Sequence, residues 1–208
     1  MVNRTFGKKL GMTRYFLAEG ECVPVTIVRV EPCVVIQRKT LDKDGYEAIQ
    51  VGFEEQKEAR FNRPLKGHFK KAGNRYFSHL KEIKVDRADE FELGQEIKAD
   101  IFKIGDSVNV AGRSKGRGFS GVTKRWGFSG GRKTHGSRSH RVPGSIGASA
   151  TPSRVLKGKK LPGRMGYQKT TIKNLTILDV RPEMNVVAIK GTLPGSSDNI
   201  IEITKIQI

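Results

Sequence analysis

The chain has 208 residues, with 39 lysines and arginines against 21 acidic residues and a formal net charge of +18. This length suits one domain with a hydrophobic core, alone or with a large extension, and leaves little room for two domains of ordinary size. So large an excess of positive charge favours a polyanionic partner, and nucleic acid is the commonest one. Neither an export signal nor a run of about 18 apolar residues is recognisable, so we expect a cytoplasmic protein.

The first half of the chain predicts β-strands. In "CVPVTIVRV" (22–30) apolar residues occupy both faces, which suits a small closed barrel. In "YEAIQVGF" (46–53) Ile49, Val51 and Phe53 alternate with Ala48 and Gln50, as in a strand. The Asp44-Gly45 pair before this segment is a strong turn signal. We therefore expect a hairpin between this strand and "VVIQRKT" (34–40).

A more charged insertion follows at about 56–98. Within it Tyr76, Phe77, Leu80 and Ile83 recur at helical spacing, which predicts a short amphipathic helix. "ADIFKIGDSVNV" (99–110) predicts two strands joined by a Gly-Asp turn. Three further strands are expected near the carboxyl end, in "TIKNLTILDVRP" (171–182), "MNVVAIKGTLPG" (184–195) and "NIIEITKIQI" (199–208).

The two cysteines, Cys22 and Cys33, lie in apolar runs without the close pairing of a metal or redox motif. We expect both to be buried free thiols in a reducing compartment, rather than a disulfide or a zinc site.

The positive charge is concentrated in one region. Between residues 107 and 178 there are 16 lysines and arginines and no acidic residue, so this third of the chain carries almost the whole net charge. From Gly112 to about Gly166 glycine recurs without a helical or strand period. A stretch this long does not fit inside a compact domain, so we interpret it as an extension that is either disordered or shaped by a partner.

Gly116, Gly118 and Gly121 in this region have the G-x-G-x-x-G spacing of a dinucleotide-binding turn. That turn also requires an amphipathic helix directly afterwards and an acidic residue about 20 positions on. The residues after Gly121, "VTKRWGFSGGRK", are basic and glycine-broken, so we expect no helix there, and the next carboxylate is Asp179. We therefore reject the cofactor interpretation, and we expect glycines that let the backbone approach phosphates, with nearby cations to bind them.

Aromatic and histidine side chains stand among these cations. Trp126 could stack on nucleic-acid bases, or it could dock the root of the extension on the barrel, and the sequence leaves both open. His135 and His140 have only arginine, serine and glycine near them, so we expect phosphate or base contacts and no metal site. Ser137 and Ser139 lack a carboxylate partner and a nucleophile-elbow pattern, so no enzymatic activity is indicated.

Nine residues stand at the spacing of a known family signature: Phe102, Asn109, Gly112, Ser114, Gly116, Arg117, Gly118, Gly121 and Arg125. Through them the sequence resembles the bacterial-type ribosomal protein L3 (uL3) family. Further segments resemble the family in the same order, from "GKKLGMTRYF" (7–16) through "SHRVPGSIG" (139–147) to "TPSRVLKGKKLPGRMG" (151–166), so the resemblance covers essentially the whole chain.

This resemblance implies a mainly β fold: a six-stranded translation-factor-type β-barrel with a small α/β insertion and a long irregular basic extension. It implies a globular domain at 1–112 and 167–208, with the insertion at about 56–98, and an RNA-penetrating loop at 113–166. The implied function is that of a structural constituent of the large ribosomal subunit. Such a protein binds large-subunit rRNA, supports early assembly and places its tip turn, "PGSIGASATPS" (143–153), near the peptidyl transferase centre.

The implied partners are large-subunit rRNA and neighbouring ribosomal proteins, with no cofactor, metal, membrane or small-molecule substrate. Some bacterial members carry a methylated glutamine in the tip turn, but this chain has no glutamine between Gln95 and Gln168, so that modification is not expected. A DNA-binding architectural protein is the alternative, since it too would use sequence-tolerant basic contacts.

The candidate RNA-binding residues comprise the cations of the extension, its tryptophan and histidines, and, from the resemblance, three residues of the tip turn. They are Arg113, Lys115, Arg117, Lys124, Arg125, Trp126, Arg132, Lys133, His135, Arg138, His140, Arg141, Ser145, Ala148, Ser149, Arg154, Lys157, Lys159, Lys160 and Arg164.

Overall fold

The structure, a computed structural model, describes residues 2–206 and is mainly β. It divides into two compact units. One contains the chain up to Arg113 and from Lys169 onwards, and the other is Ser114–Gln168. Gln207 and Ile208, at the end of the last predicted strand, lie outside the described residues.

Twelve strands and three α-helices are present among the described residues. The strands are β1 Arg4–Phe16, β2 Cys22–Val30, β3 Cys33–Lys39, β4 Ala48–Glu55, β5 Phe77–Lys84, β6 Glu96–Ile97, β7 Ser107–Arg113, β8 Phe119–Ser120, β9 Gly163–Arg164, β10 Lys169–Arg181, β11 Val186–Lys190 and β12 Ile200–Lys205. The helices are α1 Leu41–Asp44, α2 Arg63–Lys70 and α3 Val122–Trp126, and short 3-10 turns lie at Glu58–Arg60, Ala88–Glu90, Ala99–Ile101 and Pro182–Met184.

Six strands of the first unit form a ring in the order β1-β12-β7-β10-β11-β2, in which β1 pairs with both β12 and β2. All of these pairings are antiparallel. The interior is filled by branched aliphatic side chains such as Val28, Ile177 and Ile203. Valine and isoleucine alternate inward on β2, β7, β11 and β12, so that a small ring of strands encloses an apolar core.

The strand predicted at "ADIF" is wrong. This segment is the 3-10 turn Ala99–Ile101, and the tighter turn places Ala99 and Phe102 in the barrel core. The strands predicted at "DSVNV" and in the three carboxyl-terminal segments are confirmed as β7, β10, β11 and β12 within the described residues.

A second sheet, in the order β5-β4-β3-β6, lies in the same unit. The predicted hairpin is confirmed, because β3 and β4 pair across α1, whose C-cap Gly45 has a φ of 79°. The amphipathic helix predicted at 76–83 is wrong, because that segment is β5. Both faces of this sheet are covered, so Phe77 packs in one apolar cluster and Ile83 in another, and apolar residues on both faces imitate helical spacing.

The two cysteines differ in environment. Cys33 is fully buried in the cluster around Phe6, and burial raises the pKa of its thiol. Cys22 is exposed, which contradicts the expectation that both thiols are buried. The reason is its place in β2, where it pairs with Phe16 at the far end of the β1–β2 hairpin. The pairings of β1 with β12 reach only as far as Lys8.

Candidate nucleic-acid interface

The unit Ser114–Gln168 starts as two antiparallel arms joined by backbone hydrogen bonds. The amide of Ser114 donates to the carbonyl of Gln168 at 2.9 Å, and the amide of Arg117 donates to that of Met165 at 2.9 Å. The pairing of β8 with β9 continues the ladder. We call these two arms, residues 114–120 and 163–168, the ribbon.

Glycine is required where the arms of the ribbon meet. Gly166 has a φ of 73°, and a Cβ there would collide with the carbonyl oxygen of Lys115. Gly118 has a φ of 66° and accepts a hydrogen bond from the Met165 amide at 2.9 Å. Gly118 and Gly166 therefore serve positive φ angles and the close approach of two backbones. From the sequence we had expected the glycines of this region to let the backbone approach phosphates.

The residues after Gly121 form a short helix, so the expectation that they are not helical is wrong. Val122–Trp126 make one turn, which ends where Gly127, at φ 76°, donates its amide to the carbonyl of Thr123. Five residues are too few to show a hydrophobic period in the sequence. The cofactor interpretation still lacks its acidic residue, because no carboxylate occurs before Asp179.

Trp126 and Arg125 fix α3 to Leu161, two residues before the returning arm. Its indole nitrogen Nε1 and the Nη1 of Arg125 both donate to the carbonyl of Leu161, each at 2.9 Å. The Arg125 guanidinium lies 5.0 Å and the Lys160 ammonium 5.9 Å from the centre of the indole ring. The sequence reasoning did not anticipate these contacts within the unit. The ring stays 42% exposed, so the stacking of Trp126 on bases stays a prediction.

The cations of this region are almost all at the surface. Of the lysines and arginines predicted to contact phosphate, all are exposed except Arg125, which is half-buried. The exposed ones are Arg113, Lys115, Arg117, Lys124, Arg132, Lys133, Arg138, Arg141, Arg154, Lys157, Lys159, Lys160 and Arg164.

No acidic side chain within residues 114–168 can neutralise these cations, because the segment contains none. In the other unit, by contrast, Lys8 lies 2.7 Å from Glu54 and Lys205 lies 2.6 Å from Asp106. The charge of the segment is therefore presented to solvent without internal compensation, which favours an external polyanion.

His135 and His140, the two histidines of the basic extension, lie in one exposed loop. His140 donates from Nδ1 to the carbonyl of Arg132 at 3.0 Å, while its own carbonyl accepts from the Gly131 amide at 3.2 Å. His135 has a φ of 57° at the turn of the loop. Within residues 2–206, no group of three or more histidine, cysteine or acidic side chains is placed to bind a metal ion.

The tip turn is exposed throughout. Ser145 donates from Oγ to the carbonyl of Gly147 at 3.2 Å, and Ala148 and Ser149 are at the surface. The same region exposes large apolar side chains that the sequence reasoning did not single out: Val142, Ile146, Val155 and Leu156. Their isolation among glycines and cations was the available signal, since such residues are normally buried.

A mainly β protein with an exposed, carboxylate-free basic segment has the surface charge typical of polyanion-binding proteins. Within residues 2–206 no helix is long and apolar enough to span a membrane. The family model described as Ribosomal protein L3 matches residues 79–188, which is more than half of the chain. The chain belongs to the ribosomal protein L3 family.

Three relatives, each named large ribosomal subunit protein uL3, match over nearly their full length. The protein of Desulforapulum autotrophicum is 54% identical over 99% of this chain and 99% of its own. The protein of Syntrophus aciditrophicus is 52% identical over 98% and 93%. The protein of Syntrophotalea carbinolica is 50% identical over 99% and 98%. All three are named as ribosomal proteins, which agrees with the prediction that this chain is not an enzyme.

Proposed function

We propose that this chain is a structural constituent of the large ribosomal subunit and binds large-subunit rRNA through residues 113–166. The observation that carries the proposal is the row of exposed cations in a segment without a single carboxylate. Exposed Arg and Lys neutralise backbone phosphates, and each contact releases condensed counterions. The relatives that cover almost the whole chain carry the name of a large-subunit protein, which supports the choice of RNA.

The two parts of the chain have different roles in this proposal. Residues 1–112 and 167–208 form the globular domain, whose ring of six strands we assign to the translation-factor type, with the α/β insertion at about 56–98. Residues 113–166 enter the RNA, hold RNA helices together during early assembly and bring Ser145, Ala148 and Ser149 close to the peptidyl transferase centre. The protein is then cytoplasmic and ribosome-bound, with neighbouring large-subunit proteins as further partners.

The salt dependence of RNA binding tests the central claim. With about seven phosphate contacts, the logarithm of the affinity for a large-subunit rRNA transcript should fall against the logarithm of salt concentration with a slope of about −5 to −6. The triple variant Arg132→Gln, Lys133→Gln, Arg138→Gln should reduce that slope by about 2 to 3, because three exposed cations are removed. Filter binding or fluorescence anisotropy between about 50 and 300 mM salt measures both values.

A matched triple variant of exposed lysines in the globular unit, Lys43→Gln, Lys81→Gln, Lys84→Gln, removes the same charge and should leave the slope nearly unchanged. A flat salt response of the parent protein, or equal slopes for the two triple variants, would contradict the proposal. Competition with duplex DNA addresses the architectural alternative, which predicts that DNA displaces the transcript at equal or lower concentration.

A further inference from the structure

Charge is separated within the globular unit. Residues 57–71 contain six lysines and arginines and one acidic residue, Glu58. Residues 86–100 contain six acidic residues and two cations. The near balance of charge outside the basic extension therefore hides one strongly basic segment, and α2 lies in it.

Three cations of α2 form one stripe. Arg63, Lys66 and Lys70 follow the i, i+3, i+7 spacing, which places them on the same side of a helix over about 10 Å. On another side Phe69, with 1% of its surface exposed, packs against the sheet. We call Arg63, Lys66 and Lys70 the α2 stripe.

The helix that carries the α2 stripe is anchored by packing and by a cap. The ring of Phe69 lies 5.4 Å from that of Phe61 and 6.1 Å from that of Phe77. Asn62 caps the helix by accepting the Leu65 amide at Oδ1 over 3.3 Å. Because packing fixes the backbone of α2, binding of a ligand to the stripe costs side-chain entropy but little backbone entropy.

An ion pair links the stripe to the cations of the preceding turn and compensates the charge of Lys66. Lys66 lies 3.0 Å from Glu58, which joins the preceding 3-10 turn to the stripe. This turn carries the exposed cation Arg60 and follows Lys57, which is also exposed. Since Glu58 already pairs with Lys66, it does not neutralise the remaining cations.

The helix alone does not account for this charge. Its first turn contains no acidic residue, and Arg63 lies at the end where the helix dipole is positive, an unfavourable position. A bound anion would offset that repulsion. Protein interfaces are depleted in lysine and enriched in aromatic residues, whereas the stripe carries two lysines and the exposed Leu65 beside it is aliphatic. These features favour a nucleic-acid backbone over a protein.

The geometry points to a second RNA-binding surface: the α2 stripe, with Lys57 and Arg60 beside it, binds the sugar-phosphate backbone of RNA separately from residues 113–166. A backbone with one phosphate every few ångströms can meet several cations of a 10 Å row at once. Such contacts position the protein on the RNA and carry no sequence information. The choice of RNA as ligand rests on the function proposed above.

The double variant Arg63→Gln, Lys70→Gln tests the surface and preserves the Lys66–Glu58 ion pair. In the full chain, with the large-subunit rRNA transcript as probe, the slope of affinity against salt should become shallower by about 1.5, because two phosphate contacts are lost. The control Lys81→Gln, Lys84→Gln removes two exposed cations from β5 and should keep the parent slope. Urea unfolding of both variants verifies that the fold is retained.

A double variant with the parent slope overturns the inference. The triple variant of Arg132, Lys133 and Arg138 separates the two proposals. If that variant loses slope and the α2 variant does not, the second surface alone is wrong. If the α2 variant alone loses slope, the second surface stands and the role proposed for residues 113–166 fails. If the parent does not bind the transcript, both fail.

Discussion

At the scale of single residues, two neighbouring lysines show how different environments arise from similar sequence. Lys8 pairs with Glu54 near the surface, whereas Lys9 is only 9% exposed. Lys9 donates from Nζ to the carbonyls of Leu193 at 2.8 Å and Gly195 at 3.2 Å. Nothing in "GKKLG" distinguishes the two, because the acceptors lie on a loop more than 180 residues away.

Substituting Lys9→Met should lower the free energy of unfolding by about 1–3 kcal/mol, because methionine has a similar length but leaves buried carbonyls without donors. Urea denaturation followed by circular dichroism measures the change. Lys43→Met, at an exposed position of α1, is the control and should stay within about 0.5 kcal/mol of the parent. Equal stability of the two variants would show that the buried ammonium is not needed.

At the scale of elements, alternation and turn chemistry predicted much of the fold. The β3–β4 hairpin followed from the Asp44-Gly45 pair, and the carboxyl-terminal strands followed from their apolar density. The helical spacing at 76–83 misled, because β5 buries both of its faces. The helix α3 was missed because it is a single turn. Local patterns fail where tertiary contacts decide which face is buried.

A cluster of polar contacts around Glu54 joins three strands of the globular unit. Glu54 of β4, at a φ of 61°, lies 2.7 Å from Lys8 of β1 and 3.2 Å from His79 of β5. Hydrogen bonding to Lys8 is the main reason that the pKa of the Glu54 carboxyl lies below its usual value of about 4.5. Because the folded pKa is depressed, this carboxylate stabilises the protein above pH 4.5, and the contribution is lost as the pH falls through the folded pKa.

The variant Glu54→Gln should therefore be less stable than the parent at pH 7, by less than about 1 kcal/mol because the pair is partly exposed. The difference should shrink as the pH is lowered from 5 to 3. Urea unfolding at several pH values measures it, with Glu92→Gln at an exposed site as the control. If the curves of Glu54→Gln and the parent run parallel across this range, the cluster does not contribute.

At the scale of the whole molecule, the distribution of charge was only partly visible in the sequence. The absence of carboxylates between 107 and 178 located the basic extension directly. A count over the rest of the chain did not reveal the α2 stripe, because the acidic residues of 86–100 cancel its charge and the helix that aligns its cations was not predicted. The arms of the ribbon were also unpredictable, since their pairing joins residues about 50 positions apart.

Limited trypsin digestion of the free protein should cut first between Arg132 and Lys160, where almost every residue is exposed. Cuts after Arg117 and Arg125 should come later, because the ribbon and α3 are held by hydrogen bonds. Proteolysis follows local opening, which backbone pairing opposes. Mass spectrometry of a time course identifies the cuts, and exposed Lys43 and Lys81 serve as references within the globular unit. Earlier cleavage at those references would contradict the expectation.

Arg113 and Lys169 lie opposite each other on the paired strands β7 and β10. The segment between them, residues 114–168, could therefore be removed and the two strand ends joined directly. An Asn-Gly turn in its place would turn β7 and β10 into an ordinary hairpin, and the ring of strands would keep its order. Lengthening this segment would also cost little folding free energy, since the entropy of loop closure changes only with the logarithm of loop length. The segment between these two strands could therefore be replaced by one of different length and sequence without changes to the core of the globular unit.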